Sequence, residues 1–208
     1  MNRFFFLHLI ASYLVGSIPF AVIISKAMFG KDVRNLGSGN AGATNMARNF
    51  GKKAGLITLA LDVLKGVLPL LIFLNFSDFQ FEQTAQPEFT AFSIAYATGL
   101  GHIYPIFAGF KGGKGVATLL GCMLVFQPVL ACFGILAFLI SLYFSKYVSL
   151  SSILASLLFA FIYLLNHDFQ PASWVAIGFP ALFIFTHRSN IQRLIKGIEN
   201  KTVLFKTK

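Results

Sequence analysis

The sequence predicts an all-α fold: a polytopic integral membrane bundle of about seven transmembrane helices, with the N-terminus outside and the C-terminus cytoplasmic. Three observations carry that expectation. The 208-residue chain is 56% hydrophobic, against roughly 45–50% in soluble domains. Only 12% of it is charged and its mean hydropathy is +0.74, whereas a soluble surface of this size needs about twice that charge to stay wet. Its basic residues gather in alternate connections between apolar runs, the pattern of the positive-inside rule. A span takes ~20 mostly apolar residues, so seven or eight short spans fill the chain, and residues 1–208 make a single membrane-embedded domain.

The apolar runs cover 4–25, 54–76, 90–108, 115–127, 128–145, 148–165 and 171–187. The run from Val116 to Phe126 is short, and Pro128 after it removes a backbone donor, so 115–145 is divided into two helices. If the first run enters from outside, the inner segments hold Lys26, Lys31, Arg34, Arg48, Lys52, Lys53, Lys111, Lys114, Lys146 and the basic tail from Arg188 to Lys208. The outer connections then hold Asp78, Glu82, Glu88 and Asp168, with Arg3 alone on the outer side. Seven spans satisfy this asymmetry; five spans with re-entrant pieces are the alternative. The net charge of +10 is thereby explained without nucleic acid. Cys122 and Cys132 lie in apolar stretches without metal or disulfide spacing and are expected to be buried small hydrophobes. The N-terminal apolar stretch runs on past Tyr13 to Lys26 with no A-x-A-type cleavage site, so it is not expected to be a signal peptide.

Three polar segments carry chemistry. The first is Gly37-Ser-Gly-Asn-Ala-Gly-Ala-Thr-Asn45 with Arg48. Its glycines let backbone approach a ligand, its amides and hydroxyls share one space, and Arg48 adds a planar fork suited to phosphate. The second is Lys111-Gly-Gly-Lys-Gly115, a flexible backbone between two ammonium groups, which is anion-binding chemistry. It fails the Walker A pattern, because Gly115 stands where a Mg²⁺-holding Ser or Thr belongs and no strand precedes it. The third is His187-Arg-Ser-Asn190 with Arg193, where His187 and Asn190 share a helix face. Within the second run, Asp62 and Lys65 are placed to pair on one helix face, either for function or as a structural ion pair. Lys146-Tyr-Val-Ser149 brings hydroxyls to the start of the sixth run.

Together these segments resemble the PlsY family, the bacterial acyl-phosphate:glycerol-3-phosphate acyltransferases. The likeness runs through Leu36–Asn45 with Arg48 and Gly51, Gly101-His-Ile-Tyr-Pro105 through Thr118, and His187-Arg-Ser-Asn190 with Arg193, Gly197 and Glu199. Leu61-Asp-Val-Leu-Lys-Gly66 and Tyr147-Val-Ser-Leu150 are similar too, and Ala41 departs from the proline more usual there. The resemblance implies an enzyme of the bacterial cell (inner) membrane, with its site at the cytoplasmic face. It would move a fatty acyl group from acyl phosphate, supplied by a separate enzyme, to glycerol 3-phosphate, giving lysophosphatidic acid and phosphate for phospholipid synthesis. It also implies catalytic roles for Ser38, Arg48, His187 and Asn190, a glycerol 3-phosphate loop of Lys111, Gly112, Gly113, Lys114 and Gly115, and a structural Glu199. Ser149 is carried over as a substrate contact.

The chemistry agrees. Acyl phosphate is already activated, so neither metal nor other cofactor is required. No HxxxxD pair and no Ser-His-Asp set is present. Donors from Ser38, Gly39, Asn40, Thr44 and Asn45 are suited to hold the acyl phosphate and the charge that develops at its carbonyl. The base is either His187 or a phosphate oxygen of the substrate. The competing class is a transporter for an organic phosphate. It is disfavoured by the absence of an internal repeat and by glycine-rich motifs on one side only.

Overall fold

The structure, a computed structural model, describes residues 3–76 and 87–202. The acidic loop residues Asp78 and Glu82, and Lys206 and Lys208 of the basic tail, lie outside the described residues. All regular structure among the described residues is helical, and the chain divides into two compact units, Met1–Phe126 and Gln127–Lys208.

In the first unit the opening apolar run is two helices rather than one, α1 (Arg3–Gly16) and α2 (Phe20–Phe29). Pro19 causes the break: it lacks an N–H and pushes Ile18 out of the helical region. Gly30, left-handed at φ 64°, closes α2: its N–H donates to the Lys26 carbonyl and that of Lys31 to the Ser25 carbonyl. A short amphipathic α3 (Ala43–Phe50) leads into α4 (Lys52–Phe76), which carries Pro69 within it. The third run stops sooner than its hydropathy suggests. Helix α5 (Pro87–Ile103) ends before Pro105, and Ile106–Ala108 form a single 3₁₀ turn ahead of α6 (Val116–Phe126).

In the second unit Pro128 opens α7 (Pro128–Ser145) from within its first turn, where no N–H is required. The expected division of 115–145 falls at Gln127. Helix α8 (Val148–Asn166) packs on α7 and on α9 (Pro171–Thr186), and α10 (Arg188–Ile195) follows directly. Of the two cysteines expected to be buried, Cys122 is, while Cys132 on α7 is exposed.

All seven apolar runs are helical among the described residues. Phe5–Phe29, Lys52–Asn75, Pro128–Ser145 and Val148–Asn166 are long and apolar enough to cross a membrane; α6 and α9 are shorter apolar helices. Apolar side chains gain little by leaving lipid for one another, so helices in membranes associate through close packing at small residues. The first unit follows this rule along two seams. Between α1 and α5, a Cβ on Gly16 would strike the Thr98 carbonyl and one on Gly101 the Tyr13 carbonyl. Between α4 and α6, Gly66 lies against the Thr118 carbonyl and Gly121 against the Val63 carbonyl.

Candidate active site

The first polar loop is built around one side chain. Asn45, in the first turn of α3 and 2% exposed, donates from Nδ2 to the carbonyls of Val33, Leu36 and Asn40 at 3.0–3.1 Å. Its Oδ1 accepts from the Ser38 amide at 3.1 Å and from Asn49 Nδ2 at 3.0 Å. The Asn45 amide, expected to hold substrate, is thus committed to the loop's own backbone. What the loop presents outward is Ser38, Gly39 and Thr44, all exposed, with Asn40 half-buried. Arg48 is exposed one turn beyond Thr44 on the same face of α3. Gly39 holds φ 71°, a left-handed conformation that L side chains rarely adopt.

The Lys111–Gly115 loop lies directly beside it. Gly113 donates its N–H to the His102 carbonyl at 3.0 Å and Gly112 to the Ile103 carbonyl at 3.2 Å. Ala41 of the first loop donates to the Gly112 carbonyl at 3.3 Å. Two motifs some seventy residues apart in sequence are therefore joined through backbone. Lys111 is exposed, Lys114 half-buried, and Gly113 and Gly115 buried. Gly115, at φ 84°, starts α6 by accepting from Leu119.

A recess of about 640 Å³ opens here, lined by Arg34, Asn35, Gly39, Phe107, Ala108, Gly109 and Lys111. Arg34 braces its wall. Nε and one terminal nitrogen grip Asp32 at 3.0 and 2.7 Å, and the other terminal nitrogen donates to the Ala108 carbonyl at 2.7 Å. The Arg34 guanidinium holds the Asp32 carboxyl well below the usual carboxylate range, against the opposing effect of burial. In turn Asp32 raises the Arg34 pKa. The recess thus offers cationic groups and backbone at one place, suited to a small phosphate ester.

Below the loops lies a buried charged set. Lys65 Nζ sits 3.0 Å from Asp62 Oδ1, the pairing expected from their spacing, and donates to the Ile18 carbonyl at 2.8 Å. That carbonyl lies at the break between α1 and α2, where it also accepts from the Phe20 N–H. His102 Nδ1 lies 3.5 Å from Asp62 Oδ1.

The second unit holds the remaining candidates. His187 joins α9 to α10 and is 2% exposed. Its Nδ1 lies 2.8 Å from the Phe183 carbonyl, which can only accept, so Nδ1 carries the hydrogen and Nε2 is the acceptor of the neutral ring. Asn190 and Ser149 are buried and both donate to Glu199 Oε1, at 2.6 and 3.0 Å, while Arg193 Nε donates to Oε2 at 2.7 Å. Gly197, left-handed at φ 68°, turns the chain so that Glu199 returns to α8 and α10. Burial pushes the Glu199 carboxyl up, but the bonds from Asn190, Arg193 and Ser149 outweigh it and hold the group below its ordinary value.

A family model described as glycerol-3-phosphate acyltransferase matches residues 6–197, nearly the whole chain. The chain belongs to the glycerol-3-phosphate acyltransferase family. Glycerol-3-phosphate acyltransferase 2 of Bacillus anthracis is 43% identical to it over 95% of this chain and 98% of that protein. The glycerol-3-phosphate acyltransferase of Aquifex aeolicus is also 43% identical, over 92% and 96%. A crystal structure of PlsY, an integral membrane glycerol 3-phosphate acyltransferase, in its glycerol 3-phosphate form superposes with a TM-score of 0.85 at 40% identity, covering 95% of each chain. The lysophosphatidic acid form of PlsY gives 0.82 at 38% identity, covering 95% and 94%.

Two features of this acyltransferase escaped sequence reasoning. His102 stood only as part of a quoted motif, since nothing in its spacing relates it to Asp62, which lies forty residues away. Arg34 was counted as a topological charge, although Asp32, an acid two residues before it in a basic segment, was the available signal.

Proposed function

We propose that this chain is a glycerol-3-phosphate O-acyltransferase whose donor is acyl phosphate, supplied by a separate enzyme. The observation that carries the reading is the joining of the Ser38–Ala41 loop to the Lys111–Gly115 loop through Ala41 and Gly112, in a chain matched by the family model over residues 6–197. That juxtaposition supports the reading by setting the lysine-bearing glycine loop next to the loop that exposes Ser38, with Thr44 and Arg48 exposed on the α3 that follows it.

In this reading Lys111–Gly115 holds the phosphate of glycerol 3-phosphate, while Ser38, Gly39, Asn40, Thr44 and Arg48 face the acyl phosphate. Asn45 acts by shaping the loop. The acceptor hydroxyl attacks the acyl carbonyl carbon. An ester C–O bond forms as the C–O bond of the mixed anhydride breaks, and inorganic phosphate leaves. The hydroxyl proton ends on a phosphate oxygen, directly or by way of His187, whose Nε2 is the basic nitrogen of its neutral tautomer. His187 and Asn190 are required for turnover, and Ser149 supports Asn190 through Glu199.

The chain serves as one acyltransferase domain over residues 1–208, in the bacterial inner membrane. Seven spans put the N-terminus outside and the C-terminus and polar loops in the cytoplasm, as the basic connections require. Purified protein in detergent, given glycerol 3-phosphate and acyl phosphate, releases phosphate and forms lysophosphatidic acid with no vesicle present. Acyl-CoA and acyl-carrier protein give no product. Product from acyl-CoA but not from acyl phosphate removes the donor assignment, and a requirement for sealed vesicles favours a transporter.

A further inference from the structure

We propose that His102 is a positioning residue for glycerol 3-phosphate, its ring and its carbonyl together setting the path of the Lys111–Gly115 backbone; the ligand named rests on the loop assignment above. The His102 carbonyl accepts the Gly113 N–H at 3.0 Å. Its ring occupies the space over Gly113, where an added Cβ would run into Nε2, and a Cβ on Gly112 would run into the His102 carbonyl. The loop is therefore moulded on this one residue from two directions. Gly113 is explained by the ring, and Gly112 by the His102 carbonyl together with Pro105 and the Ile103 carbonyl, before any ligand is considered.

The ring is itself backed by a buried carboxylate. His102 is 6% exposed, and Nδ1 has no hydrogen-bond partner nearer than the Asp62 carboxylate 3.5 Å away. Asp62 and Lys65, 2% and 3% exposed, form a balanced pair 3.0 Å apart, anchored on the Ile18 carbonyl at the α1–α2 break. Buried charges at membrane depth are costly and persist where they do something. The pair makes no contact with the glycine loop that the structure records, whereas His102 touches both. Asp62 backs the ring, and the ring and carbonyl of His102 set the path of the loop.

The coupling is tested with full-length protein in detergent, using Gly113→Ala, His102→Ala and the double variant, and measuring kcat and the KM for each substrate separately. Each single change raises the KM for glycerol 3-phosphate about tenfold, leaves that for acyl phosphate within about twofold, and the pair falls roughly tenfold short of the product of the two, because removing the ring makes room for the new Cβ. Should His102→Ala yield no folded protein by its melting profile, His102→Asn replaces it in the cycle, keeping an amide toward Asp62 while vacating the space over Gly113. Effects that multiply without interaction overturn the proposal, as does a His102 variant that lowers kcat and stability with the glycerol 3-phosphate KM unmoved. Non-additivity expressed in the acyl-phosphate KM instead upholds the His102–Gly113 coupling and overturns the loop's assignment to glycerol 3-phosphate.

Discussion

The polar assemblies of the two units are held in opposite ways. In the first, the glycine-rich loops are fixed by main chain: Ala41 to Gly112, Gly112 to Ile103 and Gly113 to His102, with the Asn45 amide standing in for a further strand of backbone. In the second, a single carboxylate gathers three side chains, Ser149, Asn190 and Arg193, onto Glu199. Main-chain bonds survive most side-chain changes and fail where a Cβ intrudes or where the amide mimic is lost. A carboxylate hub fails with its charge. The difference teaches where each assembly is brittle.

The largest expected effect comes from Asn45→Ala. It removes every bond of the amide, to the Val33, Leu36 and Asn40 carbonyls, the Ser38 N–H and Asn49, a loss of about 3 kcal/mol or more at ~0.5–1.5 kcal/mol per bond. Turnover in the phosphate-release assay should fall more than about a hundredfold by the same energy, together with a lower melting temperature in detergent. An unchanged melting temperature would show that main chain alone holds the loop. Next is Arg48, the cation that the backbone-held assembly presents on α3. A guanidinium offers a planar fork where an ammonium is a point charge. Arg48→Lys should therefore lose one charge-assisted bond, about 1.5–3 kcal/mol, or roughly tenfold to more than a hundredfold in turnover. Arg48→Ala should be slower again at normal membrane levels. Near-normal rates from the Lys variant would make Arg48 a topological anchor.

The smallest effect is at the hub. Glu199→Gln keeps an acceptor for Asn190 and Ser149 but gives up the ionic bond to Arg193. With the Arg193 side chain 32% exposed, solvent screening limits that loss to about 1 kcal/mol. Because the folded Glu199 carboxyl is held below its ordinary value, its contribution is complete above the ordinary carboxylate range and disappears as pH falls through the lowered value. Asp32, held down by Arg34, loses its contribution in the same direction. Thermal melts at falling pH should show Glu199→Gln flatter on the acid side than the parent chain, with a remaining slope from Asp32. Parallel acid limbs in the two proteins would deny Glu199 its place as hub.

What the sequence made legible follows from range. Hydropathy located all seven helical runs, and a spacing of three put Asp62 beside Lys65, because both signals are local to one helix. The break at Pro19 was missed because apolar residues continue on either side of it, and hydropathy does not register a missing N–H. The end of α5 at Ile103 was passed over for the same reason. Asn45 was grouped with the substrate-facing polar residues, since composition cannot say whether an amide points at a ligand or at its own loop. A structural role for Glu199 followed from the family resemblance. The reach of Glu199 to Asn190 and Ser149 did not, because it depends on a left-handed turn at Gly197 and on a contact fifty residues distant.

The glycine seams carry a consequence for traffic. Where Gly66 meets the Thr118 carbonyl and Gly121 the Val63 carbonyl, α4 and α6 touch main chain to main chain, and α1 meets α5 likewise at Gly16 and Gly101. An acyl chain is wider than the space left there, and sideways passage would require the helices to part along their crossing. Neither seam therefore offers a lipid acyl chain a doorway into the first unit.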